Sequence, residues 1–291
     1  MIREPAAAGL FYPAEPETCR AELEACVRSL GEIGPLPAHI VGGIVPHAGW
    51  TYSGVVAART LGAIASRREP ATIVIFGAAH RPLADDAAVF GRGAWQTPVG
   101  AIGIDERLAA RLTAECPWIA DDPYAHEEEH SIEVQLPLIR RFFPKARLVP
   151  VLVMPRSSAV EIGRAAARVV RDSQADAVFI GSTDLTHYGP GYGMTTHGVG
   201  AEGLRWAKEV NDRRMIDLML AMKAEAIVAE ARSHHNACGS GAAAACVAAC
   251  RELGATEGRL LEHLTSAETA GACMRARPLD AVGYASVVFG H

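Results

Sequence analysis

Short runs of almost wholly apolar residues recur along the chain, and polar residues follow directly on several of them. The runs and the polar residues beyond them are 40–45 before His47, 72–76 before His80, and 177–180 before Asp184 and His187. Apolar runs of about four to eight residues are typical of strands buried on both faces of a sheet. Because ligands bind beyond the carboxyl ends of strands in open α/β sheets, we expect these polar side chains to meet in one crevice.

Helical patterns alternate with the apolar runs. The expected strands are 40–45, 72–76, 147–153, 176–181 and 281–289, and the expected helices are 53–68, 105–115, 131–143, 157–172, 201–221 and 239–253. This alternation predicts an α/β fold with a mixed, largely parallel central sheet and helices on both faces. The Gly- and Pro-rich stretch 188–193 is expected to be a loop beside the crevice. Neither a repeat nor a linker interrupts the pattern, so we expect one domain over residues 1–291.

Composition narrows the classes of function. Hydrophobic residues make up 49% of the chain and the net charge is −5, which indicates a packed globular protein without a basic field for nucleic acid. The apolar stretches are much shorter than the roughly 20 residues of a membrane span, so we expect a cytoplasmic protein that binds no membrane. The seven cysteines form no Cys-x-x-Cys pair, which argues against a disulfide framework or a zinc ribbon. Most of them are expected to be buried packing residues, in particular Cys246 and Cys250.

Histidine and cysteine stand at positions that suit metal chemistry. His47 and His80 each follow a predicted strand, and neutral imidazole is a common metal ligand. Cys238 precedes an alanine-rich helix, so we expect the helix N-terminus to lower the pKa of its thiol. The three-residue interval between Asp184 and His187 allows the carboxylate to orient the imidazole.

Two chemistries are compatible with these residues. In the first, His47, His80 and one anion, either Cys238 or Asp184, hold a redox metal, and His187 transfers protons. In the second, His187, oriented by Asp184, activates Cys238 as the nucleophile of a metal-free cysteine hydrolase. The hydrolase leaves His47 and His80 without a role.

The segment His126-Glu127-Glu128-Glu129-His130 matches the literal H-E-x-x-H pattern of zinc proteases. That pattern works on an amphipathic helix, whereas this segment is almost wholly acidic and has no apolar face. We therefore expect no protease site here. His130 is expected to line the pocket from a loop.

The chain resembles the Memo-like family, which includes protein B of the AmmeMemoRadiSam system, at segments spread from end to end. The matching segments are 8–12, 46–54, 77–80, 97–98, 129–133, 149–151, 182–189 and 236–239. The resemblance implies a fold similar to that of class III extradiol dioxygenases (LigB-like). It also implies that His47, His80 and Cys238 are the metal ligands, with Asp184 and His187 close by in the pocket.

The resemblance further implies a metal-dependent oxidoreductase, with iron as Fe²⁺ ahead of copper and then zinc. Because the family has cysteine where the dioxygenases use a carboxylate, aromatic ring cleavage is not expected. Phe11, Trp50 and Tyr52 are the expected aromatic lining for a small-molecule or peptide substrate. AMMECR1-like and radical SAM proteins of the same system are the expected partners. A third hypothesis is a non-catalytic module that binds a peptide or a partner protein in this pocket.

Overall fold

A computed structural model describes residues 1–269 and 278–291, in which strands and helices alternate along the chain. The strands are β1 (Ile2–Arg3), β2 (Ile40–Val45), β3 (Thr72–Ala78), β4 (Ala87–Val89), β5 (Ala94–Trp95), β6 (Ile102–Gly103), β7 (Ile119–Asp121), β8 (Arg147–Val153), β9 (Ala177–Ser182), β10 (His187–Tyr188), β11 (Glu257–Thr265) and β12 (Ala281–Gly290). The α-helices are α1 (Pro16–Arg28), α2 (Trp50–Ala65), α3 (Glu106–Glu115), α4 (Leu136–Phe142), α5 (Ala159–Asp172), α6 (Ala201–Trp206), α7 (Arg213–Leu220), α8 (Ala224–His234), α9 (Ser240–Glu252) and α10 (Ser266–Thr269).

Most strands belong to one central sheet. Within the described residues its order is β10-β12-β2-β9-β3-β8-β4-β7, and β11 pairs with β12. The four central strands β2, β9, β3 and β8 are parallel, whereas β12 and β4 join them antiparallel on either side. A smaller sheet has the order β1-β5-β6. The predicted mixed, largely parallel sheet is therefore present.

Helices cover both faces of this sheet, as two adjacent glycines of β2 demonstrate. A Cβ atom added to Gly42 would meet Cys250 of α9, whereas one added to Gly43 would meet Thr60 of α2. Successive residues of a strand point to opposite faces, so α9 and α2 lie on opposite sides of the sheet. Both positions require glycine because the helix and the neighbouring strand approach so closely.

Strand register brings the polar residues of the sequence to one edge. Val45 pairs with Ser182 at the ends of β2 and β9, and Phe76 of β3 pairs with Gly181. The three strands therefore end at nearly the same level, and the residues beyond them enter a common space. This is the crevice expected from the sequence.

All five predicted strands and most predicted helices are present, with differences that have local causes. The helix expected at 131–143 begins only at Leu136, after a 3₁₀ turn at Glu133–Gln135. The helix expected at 201–221 contains a π-helical turn, Ala207–Asp212. Helices α1 and α8 and the edge strand β11 were not predicted, because their burial is incomplete and their apolar pattern is correspondingly weak.

The cysteines behave largely as predicted. Five of them are buried and free: Cys19, Cys26, Cys116, Cys246 and Cys250. Cys238 is partly exposed, and Cys273 lies outside the described residues. Within the part of the chain that the structure describes, no helix is both long and apolar enough to cross a membrane.

Candidate metal centre

His47 and Cys238 are in direct contact at the carboxyl edge of the sheet. The Nε2 atom of His47 lies 3.1 Å from the Sγ atom of Cys238. His47 is the first side chain to enter the crevice after β2, and Cys238 stands two residues before α9. Potential ligand atoms of His47, Asp184 and Cys238 all lie within 4.8 Å of one another. Nitrogen and sulfur ligands lie about 2.0–2.3 Å from a zinc-sized ion, so small movements of these side chains would let them share one ion.

The hydrogen bonds of His47 determine which ring nitrogen faces the sulfur. Its Nδ1 atom lies 2.9 Å from Ser182 Oγ, and Ser182 Oγ donates its own proton to the carbonyl oxygen of Ser131. Nδ1 must therefore carry the proton of this bond, which assigns the lone pair to Nε2. Burial, with His80 and His130 nearby, lowers the pKa of His47 well below its usual value. The ring is thus a neutral imidazole ready to bind metal.

His80 is oriented by the carboxylate of Glu129. Its Nδ1 atom lies 3.0 Å from Glu129 Oε1, and its backbone N–H donates to Glu129 Oε2. Burial lowers the pKa of His80, but the hydrogen bond and charge of Glu129 outweigh it and raise this pKa overall. The same contacts hold the pKa of Glu129 below its usual value, although burial opposes them. The carboxylate leaves Nε2 of His80 facing the crevice, as in the carboxylate–histidine–metal arrangement.

Ser131 connects the two histidines. Its backbone N–H donates to Glu129, and its carbonyl oxygen accepts from Ser182, which in turn holds His47. The five residues form a continuous chain of hydrogen bonds between the rings of His47 and His80. Their relative orientation is therefore set before any ligand binds.

His130 does not complete a three-histidine site with His80. Ligand atoms of His47, His80 and His130 also lie within 4.8 Å of one another. However, the rings of His80 and His130 are only 11° from parallel, with centroids 4.7 Å apart. An imidazole lone pair lies in the plane of its ring, so an ion in the plane of one ring lies outside the plane of the other. His130 instead packs between His80 and Phe11, whose ring centroid is 4.4 Å away.

The structure does not place all three predicted ligands in one tight set. His80 and Cys238 belong to different groups, and His47 is common to both groups. The two rings of His47 and His80 meet edge to face, with centroids 5.2 Å apart. His47 is therefore the residue that both groups of candidate ligands share.

The prediction that Asp184 orients His187 is wrong. Asp184 Oδ1 accepts a hydrogen bond from the backbone N–H of His47, at 2.7 Å. His187 Nδ1 instead lies 3.1 Å from the carbonyl oxygen of Leu185, which can only accept. Nδ1 therefore carries the proton, and Nε2 has the free lone pair. The short Asp-x-x-His interval was misleading because each side chain bonds to a backbone group, of His47 and of Leu185, and not to the other.

Burial shifts the pKa values of the two remaining groups. It raises the pKa of Asp184 to about 7, although hydrogen bonds from the backbone of His47 and Ala48 oppose the shift. Burial and the nearby Asp184 also raise the pKa of the Cys238 thiol. This direction is opposite to the lowering expected from the helix N-terminus, because burial disfavours the charged thiolate. A bound cation reverses this balance and deprotonates a coordinating thiol.

The candidate ligands line a cavity of about 490 Å³. Phe11, Tyr52 and His130 contribute to its wall as predicted, and His187 also faces it. Trp50 does not, which corrects the prediction. It is 4% exposed, and its Nε1 atom donates to the carbonyl oxygen of Val134. As the first residue of α2, it points into the core.

The two histidines of the His126-Glu127-Glu128-Glu129-His130 segment lie in different surroundings. His126 ends a 3₁₀ turn rather than lying on a helix, and it is fully buried, with Nε2 bonded to the carbonyl oxygen of Ala88. His130 lies in the cavity. The two histidines therefore do not face a common point, and this segment does not form the paired-histidine site of a zinc protease.

Several residues of the site were missed from the sequence. They are Glu129, Ser182, Tyr192, Asp280 and Tyr284. Tyr192 belongs to the Gly- and Pro-rich loop that the sequence marks, so its position had a signal. Glu129 was missed because its acidic run is typical of a solvated surface. Tyr284 was missed because its strand is typical of the core.

The comparisons with known proteins agree with the resemblance noted in the sequence. The family described as Memo-like protein matches residues 3–288. A MEMO1 family protein of Methanopyrus kandleri is 37% identical over 99% of each chain. A MEMO1 family protein of Thermococcus onnurineus is 39% identical over 99% of each chain.

A likeness among solved structures supports the fold. The crystal structure of an uncharacterized protein from Escherichia coli K12 has a TM-score of 0.50 and 12% identity, and covers 85% of this chain and 99% of its own. The predicted α/β fold with a mixed, largely parallel sheet is confirmed. Because a family-wide match extends over nearly the whole chain and relatives exceed 30% identity throughout it, the protein belongs to the Memo-like family.

Proposed function

We propose that the protein is a metal-dependent oxidoreductase that binds iron, or alternatively copper, through His47, His80 and Cys238. The observation that carries the proposal is the 3.1 Å contact between His47 Nε2 and Cys238 Sγ. An imidazole lone pair and a sulfur held beside each other are donors that transition metals bind.

The donor set fits such a metal. Both imidazoles have Nδ1 engaged, by Ser182 and by Glu129, and both offer Nε2. Two imidazoles and one thiolate suit iron and copper, and they suit zinc less specifically. Asp184 is close enough to His47 and Cys238 to act as a further anion.

A bound iron or copper ion would supply one-electron chemistry and polarise a ligand beside it. His187 accepts or donates a proton through Nε2, since its Nδ1 proton is held by Leu185. Burial lowers the pKa of His187, which favours the neutral base at physiological pH. The rings of Phe11 and Tyr52 shield the crevice from bulk water and offer an apolar surface to a small molecule or peptide.

The cysteine hydrolase is less well supported. Among the described contacts, neither His187 with Cys238 nor Asp184 with His187 forms a hydrogen bond, although such a triad requires both. The imidazole beside the thiol is that of His47. The raised pKa of Cys238 also opposes a metal-free nucleophile.

The location and partners are part of the proposal. We place the protein in the cytoplasm, where thiols remain reduced, with AMMECR1-like and radical SAM proteins of the same system as partners. Neither nucleic acid nor a membrane surface is a proposed partner.

Anaerobic purification followed by elemental analysis tests the proposal. We expect about one iron or copper ion per chain, and its loss in His47→Ala, His80→Ala and Cys238→Ser. His39→Ala is the matched control, because His39 packs against His291 outside the crevice and should leave the metal content unchanged. Folded wild-type protein that takes up neither metal after anaerobic reconstitution would contradict the proposal.

A further inference from the structure

A π-helical turn behind the crevice holds two buried polar residues. The turn spans Ala207–Asp212, between α6 and α7. Its last two residues, Asn211 and Asp212, have relative exposures of 0% and 1%. Single π turns within helices are rare and occur frequently at functional sites. Neither residue lines the cavity, so a role in the site has to act through other groups.

Asp212 holds the segment that carries Asp184 and His187. Its Oδ1 atom accepts from the backbone N–H of Thr186 at 2.9 Å, and its Oδ2 atom lies 2.9 Å from His263 Nε2. Thr186 is also paired with Gly283 of β12, through its carbonyl oxygen. The segment beyond β9 is therefore fixed from two sides at Thr186.

Asn211 connects that segment with the one that carries Cys238. Its Nδ2 atom donates to Thr186 Oγ1 at 3.1 Å and to the carbonyl oxygen of His234 at 2.9 Å. The backbone carbonyl oxygen of Asn211 accepts from Asn236 Nδ2, also at 2.9 Å. Asn236 is fully buried two residues before Cys238. One turn of helix thus bonds to both segments that bring anionic groups to the site.

We infer that Asn211 and Asp212 are positioning residues that hold Cys238 and the Asp184–His187 segment at a fixed separation. This inference rests on the proposed metal site, whose sulfur it places. In the π turn two consecutive buried side chains bond to the same residue, Thr186. Asp212 bonds to its backbone N–H and Asn211 to its side-chain hydroxyl.

The rings of the two imidazole ligands are oriented by other contacts, although the backbone N–H of His47 also donates to Asp184. Ser182 orients His47 and Glu129 orients His80, and neither contact involves the π turn. Disrupting the turn should therefore move the sulfur relative to the imidazoles. A merely structural role would weaken the binding of all ligands together.

Cobalt substitution tests this asymmetry, because thiolate coordination to Co²⁺ gives a charge-transfer absorption of its own. In Asn211→Ala and Asp212→Ala we expect Co²⁺ still to bind, with at least a twofold loss of the sulfur band per bound ion. Asp212→Asn, which keeps an acceptor for Thr186 N–H, should restore the band. Thr60→Val is the control, because it removes a buried hydroxyl that bonds β2 and Ser286 away from the π turn. An unchanged sulfur band in both alanine variants would overturn the inference.

A measurement without metal separates this inference from the proposed function. In chelator-treated protein, the alkylation rate of Cys238, read by peptide mass spectrometry, reports its placement beside His47. We expect that rate to change at least threefold in Asn211→Ala and to remain at the wild-type value in Thr60→Val. If the wild type binds no metal but this difference appears, the positioning role stands and the metal proposal fails. If all variants react alike, the positioning role fails whether or not metal binds.

Discussion

The imidazole of His47 and the thiol of Cys238 are hydrogen-bond partners, at 3.1 Å, although 191 positions of the chain separate them. The partner of His47 on its other ring nitrogen is Ser182, at the end of the neighbouring parallel strand. A single residue therefore joins the sheet edge to the start of α9. This contact makes the reactivity of Cys238 a property of His47.

We expect His47→Gln to lower the alkylation rate of Cys238 several-fold in metal-free protein at neutral pH. The reason is that His47 Nε2 is the base closest to the thiol, whereas His187 donates its Nδ1 proton to Leu185. The rate is measured with iodoacetamide and peptide mapping. His187→Gln is the matched control, and an equal or larger fall in that variant would instead favour the Cys238–His187 hydrolase.

Glu129→Gln should weaken metal binding by about 10–100-fold, the usual effect of losing a carboxylate that orients a ligating histidine. Glutamine keeps the shape of the side chain but loses the charge that holds the Nδ1 proton of His80. Competition titration with a chromophoric chelator measures the affinity. Glu128→Gln is the control, since Glu128 is exposed and pairs with Arg81 at the surface. Equal affinities in the two variants would show that Glu129 does not act on the metal.

His126 should make the protein less stable in acid. Burial, with the nearby Arg3, lowers the pKa of His126 to about 3. In the unfolded chain His126 takes up a proton near pH 6.5, whereas in the folded chain it stays neutral until the pH is much lower. The resulting contribution to stability is complete above that pH and is lost as pH falls toward 3, at about 1.4 kcal/mol per pH unit.

His126→Phe tests this linkage. Phenylalanine retains the packing against Phe90 and Trp95 but cannot take up a proton. We measure the free energy of unfolding by urea titration between pH 6 and 4. We expect its decrease with falling pH to be smaller in the variant than in the wild type by about 1.4 kcal/mol per pH unit, which corresponds to one proton. A slope identical to that of the wild type would mean that His126 is not the group responsible.

Substitutions of Trp50 and Tyr52 should differ in their effect on stability, because Trp50 lies in the core and Tyr52 at the cavity. Trp50 packs on Tyr12 with ring centroids 5.5 Å apart, so Trp50→Ala is expected to cost about 3–5 kcal/mol of unfolding free energy. Tyr52 is 39% exposed at the cavity, so Tyr52→Ala should cost well under about 1 kcal/mol. Chemical denaturation and metal content are measured on both. A stable Trp50→Ala protein would contradict the core position of this ring.

Much of the architecture follows from local pattern. The strands predicted at 40–45 and 147–153 coincide with β2 and β8. Apart from the exposed Arg147 at the start of β8, their residues are apolar and buried, as expected for strands covered on both faces. The positions of His47, His80 and Asp184 after strands were enough to predict a common crevice. The edge strand β11 escaped because its exposed positions dilute the alternation on which such predictions depend.

The sequence by itself determined which residues reach the carboxyl edge of the sheet, since strand periodicity and strand ends are local properties of the chain. Only the tertiary structure decided how those side chains pair there. Glu129 rather than Asp184 orients a histidine, Trp50 points into the core, and burial raises the pKa of the Cys238 thiol. Each of these outcomes depends on hydration and on partners distant in the chain, neither of which spacing along the sequence encodes.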